Sequence, residues 1–504
     1  MKQFLKISIF TLLGFGIAAL AYGIWLSYQD DQILQEIQAQ ETAIARYRKE
    51  TKQHPQDPQA QLKLGNAAMA FWQKRQKITR LSLESGGMAA MNWMMANPLQ
   101  EAVTAYRAAL KLNPQLADAQ IGLCQAMLEQ DKKDQEATVT ATCRQSTVLK
   151  PQSADSYLAL GVALTRQMQW AEAEAMFRKY LSLTDDKGNA YYQLGKALLG
   201  QQKYDEAIGS YRQAIQLSPR SNLSYEGLGD ALKAQGKTEE AITAYRNGLN
   251  VEPKYPPIHI KLGDLFMQEK QFEEAITTYR QFSEVYPNIA SSYAGLGRVR
   301  TAQQKWDEAI AAFNKAIELD DQDAWTYKDR GVMYTKQNKL DAAIADYSKA
   351  IALEPTNIFS LIERGIVYAR QGKSKSAIKD LNRAVQLEPN SVTALNALCW
   401  NGNLMGLTAQ VISACDKVVT VAKPQEKDFY RDSRGLARAM AGDHQGAIAD
   451  FQAFIRWTSS NTTKDDYEVS DLRKRIARRQ AWIQSLQKHQ NPFTPGLRQA
   501  LFNE

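Results

Sequence analysis

The length, composition and charge of the chain exclude several classes of protein. Its 504 residues are 44% hydrophobic and 23% charged, which is too apolar for a disordered chain and unlike collagen. Four cysteines are too few for a disulfide-rich mini-protein, and four scattered histidines do not suggest a metal site. The net charge of +8 is modest for this length, so we expect no nucleic-acid partner, and no cofactor motif is present.

The N-terminal segment is predicted to anchor the chain in a membrane. Lys2 and Lys6 precede residues 7–28, which contain no charged side chain. As a helix this stretch is about 33 Å long, enough to cross a hydrocarbon core of about 30 Å. Asp30 and Asp31 follow it. Lysines before the span and acids after it predict a single-pass protein whose N-terminus is cytoplasmic and whose remaining chain lies on the outer, periplasmic or lumenal, side.

A cleaved signal peptide is the alternative interpretation of the same segment. Ala19-Leu20-Ala21 has the small residues of a signal-peptidase site, and cleavage there would release a secreted protein. Residues 24–26 prolong the apolar stretch beyond this site, which favours a retained anchor. Both interpretations carry the rest of the chain across the membrane.

Most of the remaining chain repeats itself every 34 residues. A glycine marks each unit, an alanine follows it by twelve residues, and a large apolar residue follows it by sixteen. The glycines are Gly161, Gly195, Gly229, Gly263, Gly297, Gly331 and Gly365. The large apolar residues are Phe177, Tyr211, Tyr245, Tyr279, Phe313, Tyr347 and Leu381. Several columns in phase indicate one supersecondary unit that is repeated along the chain.

Each unit is predicted to be a pair of antiparallel helices. Leu194, Gly195 and Leu198 mark one helical face, and Ala207 and Tyr211 mark a second. Glycine and alanine are small because the two helices approach most closely at these positions. A proline closes most units, since it cannot continue a helix. No single pair can bury its apolar face alone, so neighbouring pairs must stack.

The segment YYQLGKALLGQQKYDEAIGSYRQAIQLSP, residues 191–219, resembles the tetratricopeptide repeat (TPR) family throughout. The resemblance covers roughly residues 43–461. It implies an all-α, right-handed superhelical solenoid of about eleven helix-turn-helix repeats, which here would follow one transmembrane helix. It also implies a concave face that is lined by the first helix of each repeat and that holds a peptide or another partner element.

The predicted organisation has four parts. Residues 1–28 form the anchor or signal peptide, and residues 29–56 form a linker helix with half a repeat. Residues 57–461 form the solenoid, which carries an insertion at about residues 72–97. Residues 462–504 form a capping helix and a tail.

The concave face should present a mixture of aromatic, apolar and charged side chains to its partner. This mixture favours a protein or peptide over a polyanion. The predicted groove residues are Tyr192, Lys196, Glu226, Asp230, Lys233, Trp325, Lys328, Phe359, Ile362, Trp400 and Phe429. The lysine and asparagine clamp by which some TPR domains hold a C-terminal carboxylate is not evident, because Val332 lies one turn after Lys328.

Arginine and aspartate occur together in three of the repeats. The arginine precedes the column glycine and the aspartate lies sixteen residues later. The pairs are Arg330 with Asp346, Arg364 with Asp380, and Arg434 with Asp450. Repeats with leucine in the arginine position never have an acid in the partner position. This predicts an ion pair between the two helices of a repeat, and a ligand-binding arginine is the alternative.

The four cysteines also occupy matching positions. Cys124 and Cys399 replace the column glycine in two repeats, and Cys143 and Cys415 replace the large apolar residue in the same two repeats. We therefore expect the disulfides Cys124–Cys143 and Cys399–Cys415, which export to an oxidising compartment would permit. The alternative is small apolar filling of two tight helix crossings. Neither pair forms the CxxC motif of a redox site.

The predicted insertion is rich in methionine. Met88, Met91, Met94 and Met95 cluster around Trp93. Two lengthened helices could bury these side chains against each other. The alternative is contact with a partner or a membrane interface, because methionine-rich surfaces adapt to varied partners.

The C-terminal region is predicted to cap the solenoid with a helix at about residues 465–489. Leu472, Ile476, Trp482, Ile483 and Leu486 form its apolar stripe. The basic residues Arg473, Lys474, Arg475, Arg478 and Arg479 are expected to face outward, as charge runs usually do, and contact with anionic lipid or nucleic acid is the alternative. The motifs DSRGLARA and NPFTP resemble a C-terminal arrangement of bacterial membrane-anchored repeat proteins, which implies a bacterial source but no activity.

The sequence lacks the phosphate-binding, dinucleotide-binding, hydrolase and zinc-protease motifs that would indicate an enzyme. We therefore expect a non-catalytic, membrane-anchored scaffold that binds protein or peptide partners in its groove for complex assembly. The alternative is a non-catalytic accessory subunit of an enzyme that builds the cell envelope or modifies glycans.

Overall fold

A computed structural model describes residues 28–84, 97–461 and 466–502. These ranges contain 25 α-helices, one short 3-10 helix at Lys133–Gln135 and no β-strand. The prediction of an all-α fold built from successive helix pairs is therefore confirmed.

The helices follow one another with short connections. The first thirteen are α1 (Tyr28–Gln53), α2 (Pro58–Glu84), α3 (Pro98–Leu112), α4 (Ala117–Gln130), α5 (Glu136–Leu149), α6 (Ala154–Arg166), α7 (Trp170–Leu183), α8 (Lys187–Gly200), α9 (Tyr204–Leu217), α10 (Asn222–Ala234), α11 (Thr238–Val251), α12 (Pro256–Gln268) and α13 (Phe272–Val285). The remaining twelve are α14 (Ala290–Ala302), α15 (Trp306–Leu319), α16 (Ala324–Lys336), α17 (Leu340–Leu353), α18 (Ile358–Arg370), α19 (Ser374–Leu387), α20 (Val392–Leu404), α21 (Thr408–Val421), α22 (Lys427–Met440), α23 (His444–Asn461), α24 (Asp466–Gln487) and α25 (Pro495–Leu501).

The described residues fall into two compact units. The first comprises those of Met1–Lys270 with Glu284–Asn288, and the second comprises those of Gln271–Ser283 with Ile289–Glu504. Within each unit, the helices pack mainly against their neighbours in the chain, as in a TPR-like solenoid.

Local sequence explains where the first helix of a repeat begins. Several start behind a polar side chain that accepts a backbone N–H of the first turn, which satisfies a donor with no partner inside the helix. Ser221 accepts from Ser224, Asn357 accepts from Ser360, and Asp323 accepts from Trp325. The sequence thereby fixes the register of the residues that follow on the helix.

The column glycines make room for the aromatic ring of the second helix. A Cβ atom built on Gly229 would lie 2.3 Å from Cε1 of Tyr245, and one on Gly161 would lie 2.4 Å from Cε1 of Phe177. Tyr245 and Phe177 are completely buried. The small residue is therefore required by a ring that fills the crossing between the helices, rather than by contact between two backbones.

Disulfides replace this glycine–aromatic packing in two repeats. Cys124 is bonded to Cys143 and Cys399 is bonded to Cys415, with Cα–Cα distances of 4.9 and 5.0 Å. All four side chains are fully buried. The amide of Asn403 donates a hydrogen bond of 2.7 Å to the carbonyl of Cys399 beside the second bridge.

The arginine–aspartate pairs join the two helices of their repeats by two parallel hydrogen bonds. Arg364 donates from Nε and Nη2 to the carboxylate of Asp380 at 2.7 and 3.0 Å, and Arg330 binds Asp346 at 2.8 and 2.7 Å. Arg434 binds Asp450 in the same way at 2.8 and 2.7 Å.

No helix in the described ranges is both long and apolar enough to cross a membrane. Residues 7–27 of the predicted span lie outside those ranges, and α1 begins at Tyr28. Helix α1 packs on the first repeat, where Arg48 pairs with Glu101 at 2.6 Å and Glu50 pairs with Lys63 at 2.9 Å.

The methionine-rich part of the predicted insertion also lies outside the described residues. It comprises residues 85–96, with Met88, Met91, Trp93, Met94 and Met95. The described part of the insertion continues α2, which runs to Glu84 and is about twice as long as the first helix of a regular repeat.

Helices α24 and α25 cover the last repeat. Trp482, Ile483 and Leu486 of α24 pack with Phe451 of α23, and Phe493 joins the same core from the tail. The predicted capping helix at residues 465–489 corresponds to α24.

The prediction that the basic residues of this helix all face outward is wrong for Arg479. Its side chain is completely buried, and it donates to both carboxylate oxygens of Asp432 at 3.0 and 2.7 Å. The guanidinium carbon lies 4.5 Å from the ring centroid of Trp482 and 5.9 Å from that of Trp400. Pairing and stacking compensate for removing this charge from water. Arg473 and Lys474 are exposed.

Candidate partner-binding site

A pocket of about 310 Å³ lies in the first unit, and we call it the Tyr192 pocket. Four of the predicted groove residues line it, from α8 and α10. They are Tyr192, Lys196, Glu226 and Asp230. The remaining lining residues are Thr165, Trp170, Leu199, Gly200, Tyr211, Leu223 and Gly227. Residues that lie 34 apart in the sequence therefore do meet in one concave surface within this unit.

Two glycines let aromatic rings form the floor of this pocket. A Cβ atom on Gly227 would lie 2.4 Å from Cε1 of Tyr211, and one on Gly200 would lie 2.3 Å from Cδ2 of Trp170. The rings of Tyr192 and Tyr211 are 6.2 Å apart between centroids and tilted by 54°. The lining thus combines aromatic surface with the charged groups of Lys196, Glu226 and Asp230.

The two acids of the pocket share one lysine. Lys261 Nζ lies 2.5 Å from Glu226 Oε1 and 2.5 Å from Asp230 Oδ2. The hydroxyl of Tyr255 donates to Glu226 Oε2, and that of Tyr245 donates to Asp230 Oδ1, both at 2.7 Å. Burial alone would lower the pKa of Lys261, but hydrogen bonds to Asp230 and Glu226 raise it overall.

Lys196, the lysine that lines the pocket, stands over an aromatic ring. Lys196 Nζ lies 5.7 Å from the ring centroid of Tyr192. Burial of its ammonium group lowers the pKa of Lys196, and nearby Glu226 partly offsets this effect. Burial, together with the charges of Glu226 and Asp230, raises the pKa of Tyr192 to about 12, so this phenol stays neutral at physiological pH.

Lys233 was predicted to share this surface but does not line the pocket. It lies one turn after Asp230 near the end of α10, with a half-buried side chain. This position makes Lys233 a useful control for Lys196, which lines the pocket.

In the second unit, two predicted groove residues form an exposed aromatic pair. Trp325 of α16 and Phe359 of α18 are 45% and 48% exposed, and their ring centroids are 6.0 Å apart. Lys328 Nζ lies 5.1 Å from the Trp325 ring centroid and 2.7 Å from Asp329 Oδ1. Ile362 is only 4% exposed and packs in a core cluster, so it contributes to the core instead of to this surface.

The last two predicted groove residues lie near the C-terminal cap. Trp400 packs against the core that α24 completes and faces the Arg479 guanidinium. Phe429 lies 5.2 Å from both Tyr430 and Trp457 between ring centroids. The cap therefore already contacts one of the two predicted groove aromatics.

Sequence reasoning missed Lys261 and the two tyrosine hydroxyls that complete the acidic side of the pocket. Lys261 lies two residues before the column glycine of its own repeat, Gly263. Its partners belong to the preceding repeat, where Glu226 lies three residues before Gly229 and Asp230 lies one residue after it. The adjacent repeats have glycine at this position, Gly227 before it and Gly295 after it. A comparison of inner-face columns between successive repeats could have found it.

Two family models match the chain. One is the tetratricopeptide repeat model, over residues 192–251, and the other is the Cilia and flagella-associated protein 70 C-terminal domain, over residues 223–399. No curated protein matches the sequence.

Several solved structures are similar to parts of the chain. Yeast Tom70 is 14% identical over 83% of this chain and 95% of its own, with a TM-score of 0.46. MamA is 28% identical over 32% of this chain and 95% of its own, with a TM-score of 0.29. YrrB, a TPR protein with an unusual peptide-binding site, is 18% identical over 38% of this chain and 98% of its own, with a TM-score of 0.30. The matching family models and the succession of helix pairs together support the tetratricopeptide repeat family for this chain.

Proposed function

We propose that this protein is a scaffold that binds protein or peptide partners on the inner surface of its repeats. The observation that carries the proposal is the Tyr192 pocket, where an aromatic floor is open to solvent and charged groups stand at its edge. Binding pockets commonly combine apolar walls with a few oriented polar groups. Such a surface can hold an extended segment of another protein.

The exposed aromatic pair of the second unit supports the same function. Trp325 and Phe359 leave nearly half of their surfaces in solvent, although each would bury a large apolar area in a complex. Tryptophan is enriched among the residues that dominate binding energy at interfaces. The partner surface in this proposal therefore includes both the Tyr192 pocket and this pair, each within its own unit.

Site-specific photocrosslinking tests this function. A photoreactive phenylalanine analogue at Leu223, which lines the pocket and is 39% exposed, should crosslink a partner in source cells. The same analogue at Leu217 is the matched control, because that leucine is 51% exposed but does not line the pocket. Equal products from both positions, or none from Leu223, would contradict the proposal.

The identity of the captured protein separates the scaffold from the alternative function. A transferase or polymerase of the cell envelope, recovered at Leu223 but not at Leu217, would indicate an accessory subunit of that enzyme. Components of an assembly or secretion machine would indicate a scaffold for complex assembly. In both cases this chain acts by binding.

The proposal also places the scaffold at a membrane through its N-terminal segment. The support is the uncharged stretch at residues 7–28 between Lys2 and Lys6 on one side and Asp30 and Asp31 on the other. Alkaline phosphatase, which is active only after export, should be active when fused after Glu504. A cytoplasmic reporter at the same point should be silent, and the reverse result would overturn both topology and export.

A further inference from the structure

Lys196, which lines the Tyr192 pocket, and Lys261, which binds the two acids of its lining, differ in their partners. Lys261 is held by two carboxylates at 2.5 Å. Lys196, by contrast, makes no ion pair with any carboxylate among the residues that the structure describes, and its ammonium stands 5.7 Å from the Tyr192 ring centroid. Lys196 thus offers hydrogen-bond donors for which this part of the chain supplies no acidic acceptor.

The two acids of the pocket, in contrast to Lys196, already have hydrogen-bond or ion-pair partners. Each of the four carboxylate oxygens of Glu226 and Asp230 already accepts a bond from Lys261, Tyr255 or Tyr245. A cationic ligand would have to compete with Lys261 for these oxygens. Lys261 therefore makes the pocket less favourable for positively charged groups, which Glu226 and Asp230 alone would attract.

The floor of the pocket fits an apolar group. Trp170, Tyr192, Leu199, Tyr211 and Leu223 supply aromatic and aliphatic surface. Tyr211 is 1% exposed, so its ring lies beneath this surface and supports it. A volume of about 310 Å³ falls at the lower end of ordinary ligand pockets, a size suited to one large side chain with its neighbours in the chain.

We infer that the Tyr192 pocket receives an aromatic or aliphatic side chain of a partner peptide, and that an adjacent carboxylate of that peptide pairs with Lys196. This inference rests on the proposed function and names the partner's chemistry at this one site. Lys261 is the residue that sets the preferred charge, because it occupies the acids that would otherwise select a basic peptide.

A displayed library of random linear peptides, selected on the purified full chain, tests the inference. Peptides enriched on the natural protein should carry Asp or Glu within two residues of Phe, Trp, Tyr or Leu. Lys196→Gln should weaken their binding at least tenfold. Lys233→Gln, outside the pocket on the same helix as Glu226, should change it less than twofold. Lys261→Met should shift the selection towards peptides with Lys or Arg.

Enrichment of basic peptides on the natural protein, no enrichment at all, or unchanged binding to Lys196→Gln would each overturn the inference. Circular dichroism verifies that each variant folds. If Lys261→Met does not fold, Lys261→Arg is used instead, and because it keeps the positive charge it should retain the preference for acidic peptides. The crosslinking test distinguishes failure of this inference from failure of the proposed function. If a partner is captured at Leu223 with equal yield in the Lys196→Gln variant, the scaffold function stands and only the preference for an acidic peptide is contradicted.

Discussion

The arginines that precede the column glycines join more than the two helices of one repeat. Arg364 uses Nε and Nη2 for Asp380, and its Nη1 donates to Ser348 Oγ of the preceding repeat at 2.9 Å. Nη1 of Arg330 likewise donates to Oδ1 of Asn314 in the preceding repeat, at 2.7 Å. The carboxylate of Asp380 is 7% exposed, so the pair is largely removed from water. These arginines therefore stabilise the stacking of neighbouring repeats as well as the hairpin itself.

A double-mutant cycle on Arg364 and Asp380 tests this pair. We expect Arg364→Leu alone to lower the free energy of unfolding by about 2–3 kcal/mol, because it leaves a mostly buried carboxylate without its partner. Arg364→Leu combined with Asp380→Ala should cost clearly less than the sum of the single changes. The combination is tolerated elsewhere in the chain, where Leu228 faces Ala244 at the same two positions.

Urea denaturation of the full chain measures these differences for the unfolding transition that contains the pair. Additive single effects would mean that the two side chains do not interact. In that case the matched columns would serve another purpose, such as binding a ligand.

The contrast between these arginines and Arg479 shows what sequence reasoning could reach. Arg364 and Asp380 belong to columns that recur every 34 residues, so repeats with and without the pair could be compared directly. Arg479 lies in the cap, where no repeat supplies a comparison, and its partner Asp432 is 47 residues away. Lys261 does lie in a repeat, but its partners lie in the preceding one, so a comparison of paired positions within single repeats missed it.

At the scale of the helix pair, one ring and one glycine form the packing unit. Phe313 fills the space above Gly297, and Tyr347 fills the space above Gly331. The two cysteine repeats replace this unit with a covalent bond between the same two positions. The small size of the glycine column was predictable from the sequence, but its cause was not, because the period does not reveal which side chain enters the crossing.

Gly229→Ala tests this packing. The added Cβ would lie 2.3 Å from Cε1 of the buried Tyr245, so the ring must move in a filled crossing. Overpacking of this kind costs about 1–3 kcal/mol of unfolding free energy. Urea denaturation followed by circular dichroism measures the change.

Gly209→Ala is the matched control for this substitution. Gly209 lies within α9, is exposed, and would place its Cβ more than 4 Å from any atom beyond its chain neighbours and the nearby backbone of its own helix. Alanine should therefore stabilise the helix by up to about 1 kcal/mol, through its better helix propensity. Equal destabilisation by both substitutions would show that the ring does not explain the glycine column.

At the scale of the whole molecule, the 34-residue period determines most of what could be predicted. It gave the all-α class and the succession of helix pairs. The resemblance to the TPR family added the expectation that Tyr192, Lys196, Glu226 and Asp230 share one surface, and these four residues do line one pocket. It could not give the burial of Ile362 or the contact of Trp400 with the cap. Those depend on how a particular repeat meets its neighbour, and the side chains at such contacts differ from repeat to repeat.

The two disulfides offer a test of the compartment in which the protein is located. Cys124 and Cys143 join α4 to α5, and Cys399 and Cys415 join α20 to α21. Disulfides persist in oxidising compartments, so their presence in the protein from source cells would support the proposed export. Closing loops of 19 and 16 residues should stabilise the chain by about 3 kcal/mol each in the chain-entropy model.

Peptide mapping of protein taken from source cells, with thiols blocked during lysis and no reductant added, should recover both linked pairs. The same mapping after reduction is the control and should recover four alkylated cysteines. If all four cysteines are alkylated without reductant, the bridges do not form in the cell and the oxidising compartment is wrong. Crossed pairs such as Cys124 with Cys399 would instead contradict the repeat register, because each bridge depends on two helices of one repeat placing the glycine and aromatic positions side by side.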